Sequence, residues 1–229
     1  MTIQSEPRAR LVSDLAAELV AAAPSLDEPG KRITLALYRL LAGGDPVPAA
    51  AIARRLGMTV EEVETTLDAW PGVYRDDQGA VIGFWGLALG EMPHRLIVDR
   101  HTLYTWCAWD ALFIPPLLGR TARVESRCAV TGDPVILTVG PGGVADVSPS
   151  GVVLSLLRPD GGFGDDVISS FCHHIVFFRS QADGERWTAT HPGTFLLSLE
   201  EGFRLGQLAW HDRVSSVPES ITAEQRDAG

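Results

Sequence analysis

The sequence contains few cysteines, and its three, Cys107, Cys128 and Cys172, are scattered singly along 229 residues. An odd and widely spaced set argues against a disulfide framework. We therefore expect free thiols in a reducing compartment. Thiolates are good nucleophiles and good ligands for soft metals, so the cysteines are the first candidates for chemistry.

The chain also lacks an apolar run long enough to cross a membrane. A spanning helix needs about 20 predominantly apolar residues, and Arg, Asp, Gly or Pro interrupts every run early. The N-terminus is polar, with Glu6, Arg8 and Arg10, and has no apolar signal-peptide core. We expect a cytoplasmic protein with no membrane partner.

Basic residues are outnumbered, with 19 Lys and Arg against 29 Asp and Glu, which gives a net charge of −10. Such a surface repels nucleic acid unless a local basic patch overrides it, so we expect no nucleic-acid partner.

Two common enzyme signatures are missing as well. The stretches GPGG and DGGFGDD do not match a phosphate-binding loop, and the chain has no G-x-S-x-G nucleophile turn.

The N-terminal third has clear helical patterning. Residues 1–30 are predicted to form an amphipathic helix and a loop, and residues 31–83 a compact unit of three helices followed by a β-hairpin. Thr59 and Glu62 form a capping-box pattern at the start of the third helix. This order of elements is typical of a winged helix.

A winged helix suggests DNA binding, but the third helix argues against that function. Its sequence, TVEEVETTLDA, has four acidic residues and no Lys or Arg. A recognition helix must approach phosphates and normally carries basic residues. We interpret this unit as a packing domain.

The rest of the chain, residues 84–229, is predicted to form a second domain. Strand-like segments separated by the turns TGDP and GPGG indicate a meander. We predict a further strand over residues 168–178 and helices over residues 182–190 and 199–208. The expected class is α+β: a winged-helix-like unit followed by a domain with a mixed or antiparallel sheet flanked by helices.

Cys107 and Asp110 are the first candidate pair. Residues 103–113 are predicted to form a helix that Pro115 and Pro116 end, and the i, i+3 spacing places thiol and carboxyl on one helix face. A carboxyl group beside a thiol can accept its proton and later return it. Spacing alone nevertheless favours the plainer alternative of a buried cysteine beside a surface aspartate.

Cys172 is the second candidate, and the predicted strand would place it on one face with His174. A zinc site of Cys107, Cys128, Cys172 and His174 is an alternative. It is disfavoured because structural zinc ligands usually occur in closely spaced pairs, which this chain lacks. Cys128 lies just before the TGDP turn, from which two residues separate it, and a structural role is favoured for it.

Four segments taken together resemble the organomercurial (alkylmercury) lyases. They are residues 102–124 (TLYTWCAWDALFIPPLLGRTARV), 128–135 (CAVTGDPV), 171–178 (FCHHIVFF) and 202–207 (GFRLGQ). The similarity extends in the same order from about His94 to Gln207. The N-terminal part of that family is also winged-helix-like, which agrees with residues 31–83.

The resemblance implies roles for individual residues. Cys107 and Cys172 match the two catalytic cysteines, Asp110 matches the catalytic aspartate, and Cys128 matches a structural cysteine. The chain departs from the pattern at Trp109, where a smaller aliphatic residue is expected. This departure puts the breadth of the substrate range in doubt, and the chemistry is unaffected.

The function implied is protonolysis of the carbon–mercury bond of R–Hg⁺ to hydrocarbon R–H and Hg²⁺, in mercury detoxification. Mercury is soft and prefers thiolates, so Cys107 and Cys172 would hold it while Asp110 carries a proton. Burial by Trp106 and Trp109 is expected to raise the pKa of Asp110.

The resemblance also implies partners. No cofactor is expected. Hg²⁺ would stay on Cys107, Cys172 and Asp110 as bound product until cytosolic thiols or a mercuric reductase removed it. A monomer or a homodimer is expected. The alternatives are a thiol-dependent lyase with a metal-free substrate on the same fold, and a metal-sensing winged-helix regulator.

Overall fold

The computed structural model describes residues 5–159, 161–163, 166–211 and 214. The N-terminal part is helical, as predicted, and Thr59 and Glu62 form the expected capping box. Gly57 ends the second helix of the winged-helix-like unit in a left-handed conformation, with φ 67°. The helices are α1 (Ser5–Ala22), α2 (Glu28–Leu41), α3 (Ala49–Leu56) and α4 (Val60–Asp68).

An eight-stranded sheet follows, and all its neighbouring strands pair antiparallel in the order β1-β2-β3-β5-β4-β6-β7-β8. The predicted hairpin is confirmed as β1–β2. The sheet crosses the predicted domain boundary near residue 84, and the division at that point stays a prediction. The strands are β1 (Val73–Arg75), β2 (Val81–Phe84), β3 (Leu87–Ala88), β4 (His94–Val98), β5 (His101–Thr105), β6 (Ala122–Arg127), β7 (Pro134–Gly140) and β8 (Gly143–Ser148).

A second, three-stranded antiparallel sheet has the order β10-β9-β11. Together with the flanking helices it confirms the predicted α+β class. Its strands are β9 (Val153–Leu157), β10 (Phe177–Phe178) and β11 (Thr194–Ser198). The helices are α5 (Asp110–Leu118), α6 (Val167–Ser170), α7 (Gln181–Thr188) and α8 (Leu199–Gly206).

Helix α5 lies at the centre of the hydrophobic core, and all but one of its nine residues are buried. Close packing against α8 depends on glycine there. A Cβ at Gly206 would lie 2.3 Å from the Cβ of Phe113, and one at Gly202 would lie 2.8 Å from Leu112 Cδ1. None of the described helices is long and apolar enough to cross a membrane.

The predicted helix over residues 103–113 is wrong in its first half. Residues 101–105 form β5, which pairs with β3 and β4, and α5 begins only at Asp110. Leu103 and Thr105 face the core with the period-2 pattern of a strand. Cross-strand pairing therefore overrides the local helical pattern.

The two prolines do not end α5 as predicted. Pro115 and Pro116 lie inside it, and Gly119 ends it with φ 66°. The amide N–H groups of Gly119 and Arg120 bond to the carbonyls of Pro116 and Pro115. Tertiary packing of this almost entirely buried helix compensates for the two amide donors that proline removes.

The predicted strand over residues 168–178 is also wrong, except for β10 at its end. The segment forms the short helix α6 and then a 3₁₀ turn over Cys172–His174. The Asp166 side chain accepts a bond from the Ser169 amide and caps α6. Cys172 and His174 therefore do not share the face of a strand.

Candidate active site

Cys107 lies in the loop that connects β5 to α5. The Thr105 hydroxyl donates to the Cys107 carbonyl at 3.1 Å, and the Cys107 amide donates to Asp110 Oδ2 at 2.9 Å. The carboxyl group at the start of α5 thus folds back over the loop. The Cys107 thiol and the Asp110 carboxyl lie close together, as expected. The cause differs from the prediction, because a turn before α5 brings the two groups together, whereas a shared helix face was expected.

Cys172 is positioned by its 3₁₀ turn, which the neighbouring elements hold from two sides. The Ala108 amide donates to the Ile175 carbonyl at 3.0 Å and joins this turn to the Cys107 loop. From β9, the fully buried Ser155 hydroxyl donates to the His174 carbonyl at 2.8 Å and accepts from the Val176 amide at 3.0 Å. These bonds fix the two cysteine-bearing segments against each other.

The two turns bring together the three residues singled out from the sequence. Ligand atoms of Cys107, Asp110 and Cys172 all lie within 4.8 Å of one another, and all three residues are buried. Neither Cys128 nor His174 belongs to this group, so the four-residue zinc set is not assembled in the described part of the chain. Two thiols and a carboxyl at this spacing can share one soft metal ion.

Cys128 lies elsewhere, at the end of β6, and is buried in the core. Its amide donates to the Asp133 carbonyl, and its carbonyl accepts from Gly132, which closes the TGDP turn. Burial alone would raise the pKa of the Cys128 thiol. Hydrogen bonds from the Thr131 hydroxyl and from three backbone amides outweigh burial and lower the pKa. These contacts agree with the structural role that was favoured.

The electrostatics of the site raise the pKa of all three groups. Burial raises the pKa of Asp110 to about 7, although hydrogen bonds from the thiol and the amide of Cys107 oppose the rise. The pKa of Cys107 is raised as well. Burial is the largest cause, followed by a hydrogen bond with Cys172 and by the charge of Asp110. A hydrogen bond from Cys107 lowers the pKa of Cys172, but burial and nearby carboxylates raise it overall.

The site opens into a cavity of only about 20 Å³, which is room for about one water molecule. Trp109 contributes to its wall and is fixed by its Nε1, which donates to the Gly202 carbonyl at 3.0 Å. Asp110 and Cys172 also line the cavity, whereas Cys107 lies beneath them and has no exposed surface. Seven of the residues that line the cavity are aromatic: Trp85, Trp106, Trp109, Phe113, Phe163, Phe171 and Trp210.

Two family models match the chain. Residues 87–210 match the model described as alkylmercury lyase, and residues 11–85 match the helix-turn-helix domain of alkylmercury lyase. The alkylmercury lyase of Pseudomonas putida is 46% identical over 175 residues, which are 76% of this chain and 81% of that protein. The chain belongs to the alkylmercury lyase family.

Further alkylmercury lyases show similar identity. The enzyme from Staphylococcus epidermidis is 44% identical over 171 residues. The enzyme from Bacillus cereus is 41% identical over 172 residues. Each alignment covers 75% of this chain and 78% of the relative. The mercury-bound crystal structure of MerB2 superposes with a TM-score of 0.69 at 20% identity, over 86% of this chain and 96% of that one. This likeness shows a shared fold.

Several residues that shape the site in this member of the alkylmercury lyase family were not singled out from the sequence. Thr105 and Ser155 hold the cysteine turns through hydroxyl groups. Gly86, which follows β2, lies against the Asp110 carboxyl, where a Cβ would be 2.5 Å from Oδ1. No local motif identifies them, because Ser155 and Gly86 act on residues distant in sequence and the Thr105 hydroxyl bonds only to the backbone of Cys107.

A wider groove of about 1250 Å³ lies between α1, α8 and the β7–β8 hairpin. Its lining includes Arg8, Glu201 and Arg204 but no cysteine. Size alone does not make it the site of this lyase-family chemistry, because the thiols and the carboxyl with a raised pKa lie in the small aromatic cavity.

Gly86→Ala should impair both stability and activity. Gly86 has φ 93°, which strains any residue with a Cβ by about 1–3 kcal/mol, and the new methyl group would displace Asp110. A displacement of about 1 Å at reacting groups costs about a hundredfold in rate. We expect a loss of that order in kcat/KM for an organomercurial.

The matched control is Gly79→Ala. Gly79 has φ 81°, but a methyl group added there would meet no described atom within 4 Å, so it shares the backbone strain without contact with Asp110. It should lose stability in thermal unfolding and keep its activity. Equal activities of the two folded variants would contradict the role assigned to Gly86.

The buried carboxyl should make stability depend on pH. Asp110 has a pKa of about 7 in the folded chain, whereas an unperturbed Asp titrates near pH 3.9. Between these values the folded state retains a proton that the unfolded state releases, so stability falls as pH rises and the full penalty, about 4 kcal/mol, is present above pH 7.

Asp110→Asn removes this penalty. Its free energy of unfolding, measured by urea denaturation from pH 4 to pH 8, should fall less steeply with pH than that of the parent. Parallel profiles for parent and variant would show that Asp110 titrates normally.

Proposed function

We propose that this protein is an organomercurial lyase that protonolyses the carbon–mercury bond with Cys107, Cys172 and Asp110. The observation that carries the proposal is the convergence of two thiols and one carboxyl within 4.8 Å in a buried aromatic cavity. Two metal–thiolate bonds of somewhat over 2 Å span about 4–5 Å. One mercury ion can therefore bridge the two sulfurs.

Cys172 binds the substrate first, because its residue retains 5% exposure and lines the cavity, whereas Cys107 is fully buried. The substrate arrives as R–Hg bound to a small thiol. The Cys172 sulfur replaces that thiol on mercury, and the Cys172 proton leaves with it. The product of this exchange is R–Hg–S–Cys172, with the carbon–mercury bond intact.

Cys107 binds mercury second. Its thiol is hydrogen-bonded to the Asp110 carboxylate, and a group with a pKa of about 7 accepts a proton near neutral pH. Proton transfer to Asp110 frees the Cys107 sulfur to bind mercury. Two thiolates then donate electron density to the metal and weaken the carbon–mercury bond.

Asp110 next protonates the carbon. The electron pair of the carbon–mercury bond forms the new C–H bond, R–H leaves, and Asp110 is again a carboxylate. Hg²⁺ remains on Cys107 and Cys172. The dry aromatic wall keeps water from competing as the proton donor.

Release of mercury requires two external thiols, which exchange with the two cysteines and return their protons. Cytosolic thiols or a mercuric reductase are the proposed acceptors, in a cytoplasmic detoxification pathway. The reaction needs no further cofactor, since thiols and carboxyl supply both ligands and proton. A monomer or homodimer stays our prediction, and light scattering would measure it.

The direct test is headspace detection of benzene from a phenylmercury salt in the presence of excess thiol. Stoichiometric benzene and inorganic mercury, formed at a rate proportional to protein concentration, are expected. Heat-denatured protein and the same thiol alone are the controls. Release at the rate of the thiol-only control would refute the proposal.

A further inference from the structure

Trp85 has an unusual backbone conformation at the edge of the cavity. It forms with Gly86 the two-residue turn between β2 and β3, and its φ is 34°. Such turns require positive φ and favour Asn, Asp or Gly. Of the non-glycine residues with positive φ in the described part of the chain, Trp85, Asp99 and Asp146, only Trp85 is aromatic. A strained residue beside reacting groups suggests a function.

Neighbouring elements hold Trp85 in this conformation. The buried Tyr38 hydroxyl of α2 donates to the Trp85 carbonyl at 2.6 Å, and the Trp85 amide donates to the Gly72 carbonyl at 3.2 Å. The indole ring packs against Phe163 and Trp210, with centroid distances of 5.7 and 5.4 Å. The N-terminal helical part thus fixes a side chain that enters the cysteine site.

The indole lies between two spaces. On one side is the catalytic cavity of about 20 Å³. On the other is an outer cleft of about 540 Å³ between the end of α1 and residues 68–71. Trp85 and Phe163 line both. Trp85 also borders a third void of about 10 Å³, but only the outer cleft is large enough to take up a displaced ring.

A bulky organic group on a bound substrate therefore has no room while the indole keeps this position. Mercury on Cys107 and Cys172 would direct its carbon substituent into the cavity, and a cavity the size of one water molecule excludes an aryl group. The substituent must displace a wall of the cavity toward the outer cleft. Trp85 and Phe163 are the wall residues that line both spaces, and of these two only Trp85 also borders the third void.

We infer that Trp85 is the specificity-determining residue of this site and limits the size of the organic group that mercury carries. This inference rests on the proposed lyase function. Compact alkyl groups fit beside the indole, whereas aryl groups must push it toward the cleft. The chain therefore favours small alkylmercury substrates over bulky arylmercury substrates, relative to a variant without the ring.

The test compares kcat/KM for methylmercury, phenylmercury and 1-naphthylmercury in parent and Trp85→Asn. Asn tolerates positive φ, so this variant removes the ring and keeps the turn. We expect the phenyl-to-methyl ratio to rise about tenfold or more in the variant, the scale on which a pocket discriminates by size. Trp85→Gly, which also suits the turn, should give the same result.

Trp187→Phe is the matched control. Trp187 stacks on His191, contacts Phe178 and lines neither space, so the substrate ratios of this variant should equal those of the parent. Unchanged ratios in folded Trp85→Asn would overturn the inference. If both Trp85 variants unfold, the test is made on the parent protein alone. Its kcat/KM for naphthylmercury should be at least about tenfold lower than for phenylmercury. Equal values would overturn the inference.

The two proposals fail in different ways. A parent protein that releases no hydrocarbon from any of the three substrates contradicts the lyase function itself. A parent that releases hydrocarbon from all three, with size ratios that Trp85 does not control, contradicts only the role of Trp85.

Discussion

Cys107→Ser and Cys172→Ala should each lower hydrocarbon release from phenylmercury by at least about a thousandfold, the scale on which removal of a bond-forming group acts. Each variant leaves one sulfur near mercury. A single thiolate binds the organomercurial without the second donor that weakens the carbon–mercury bond. Headspace chromatography of benzene, with protein-bound mercury measured in parallel, checks this result.

The two single variants should differ in binding. Cys107→Ser retains Cys172, the sulfur at the cavity, and should form a stable R–Hg adduct detectable by mass spectrometry. Cys172→Ala leaves only the fully buried Cys107 and should form the adduct much more slowly. Cys128→Ala is the control, since Cys128 lies outside the group. A folded Cys107 or Cys172 variant with parental activity would contradict the mechanism.

Asp110→Asn should lower kcat by about 10²–10⁴-fold, the usual contribution of a general acid–base group, while mercury still binds. Asn preserves the shape of the side chain, and its carbonyl oxygen can still accept the Cys107 amide bond. It can neither take the Cys107 proton nor protonate carbon. Single-turnover release of benzene, measured after R–Hg is bound, isolates this step from substrate binding.

Asp99→Asn is the matched control, because Asp99 is an exposed carboxyl paired with Arg120. It should retain parental kcat. The parent should also lose activity below about pH 7, because an Asp110 that is already protonated cannot accept the Cys107 proton that it later delivers to carbon. An Asp110→Asn variant with parental single-turnover rate would assign proton delivery to another group.

Local signals in the sequence predicted the N-terminal elements well. The Thr59–Glu62 capping box, the glycine that follows α3 and the β1–β2 hairpin depend on residues a few positions apart. The acidic composition of α4 argued against a typical recognition helix without any tertiary context, and the expected lack of a nucleic-acid partner stays a prediction. The predicted division into residues 31–83 and 84–229 stays a prediction that limited proteolysis would test.

The candidate residues were identified from the sequence, but their geometry was not. Cys107 and Asp110 were expected close together on a helix, and they meet in a turn because β5 pairs with strands from both sides. Cys172 was expected on a strand, and the Ser155 contacts hold it in a 3₁₀ turn. The periodicity of hydrophobic residues describes one segment at a time. It therefore does not show which distant strands or side chains will contact that segment in the folded chain.

The sequence by itself determined the chemical groups: three free thiols, an aspartate three residues from one of them, and the family motifs around them. Only the tertiary structure decided that Cys107 and Cys172, 65 positions apart in the chain, share a cavity with Asp110 while Cys128 does not. It also decided the pKa of Asp110, because burial depends on what the folded chain places around the carboxyl. The position of Trp85 at the cavity wall was likewise decided only by the tertiary structure, because a hydrogen bond from Tyr38, 47 positions away in the chain, holds its backbone.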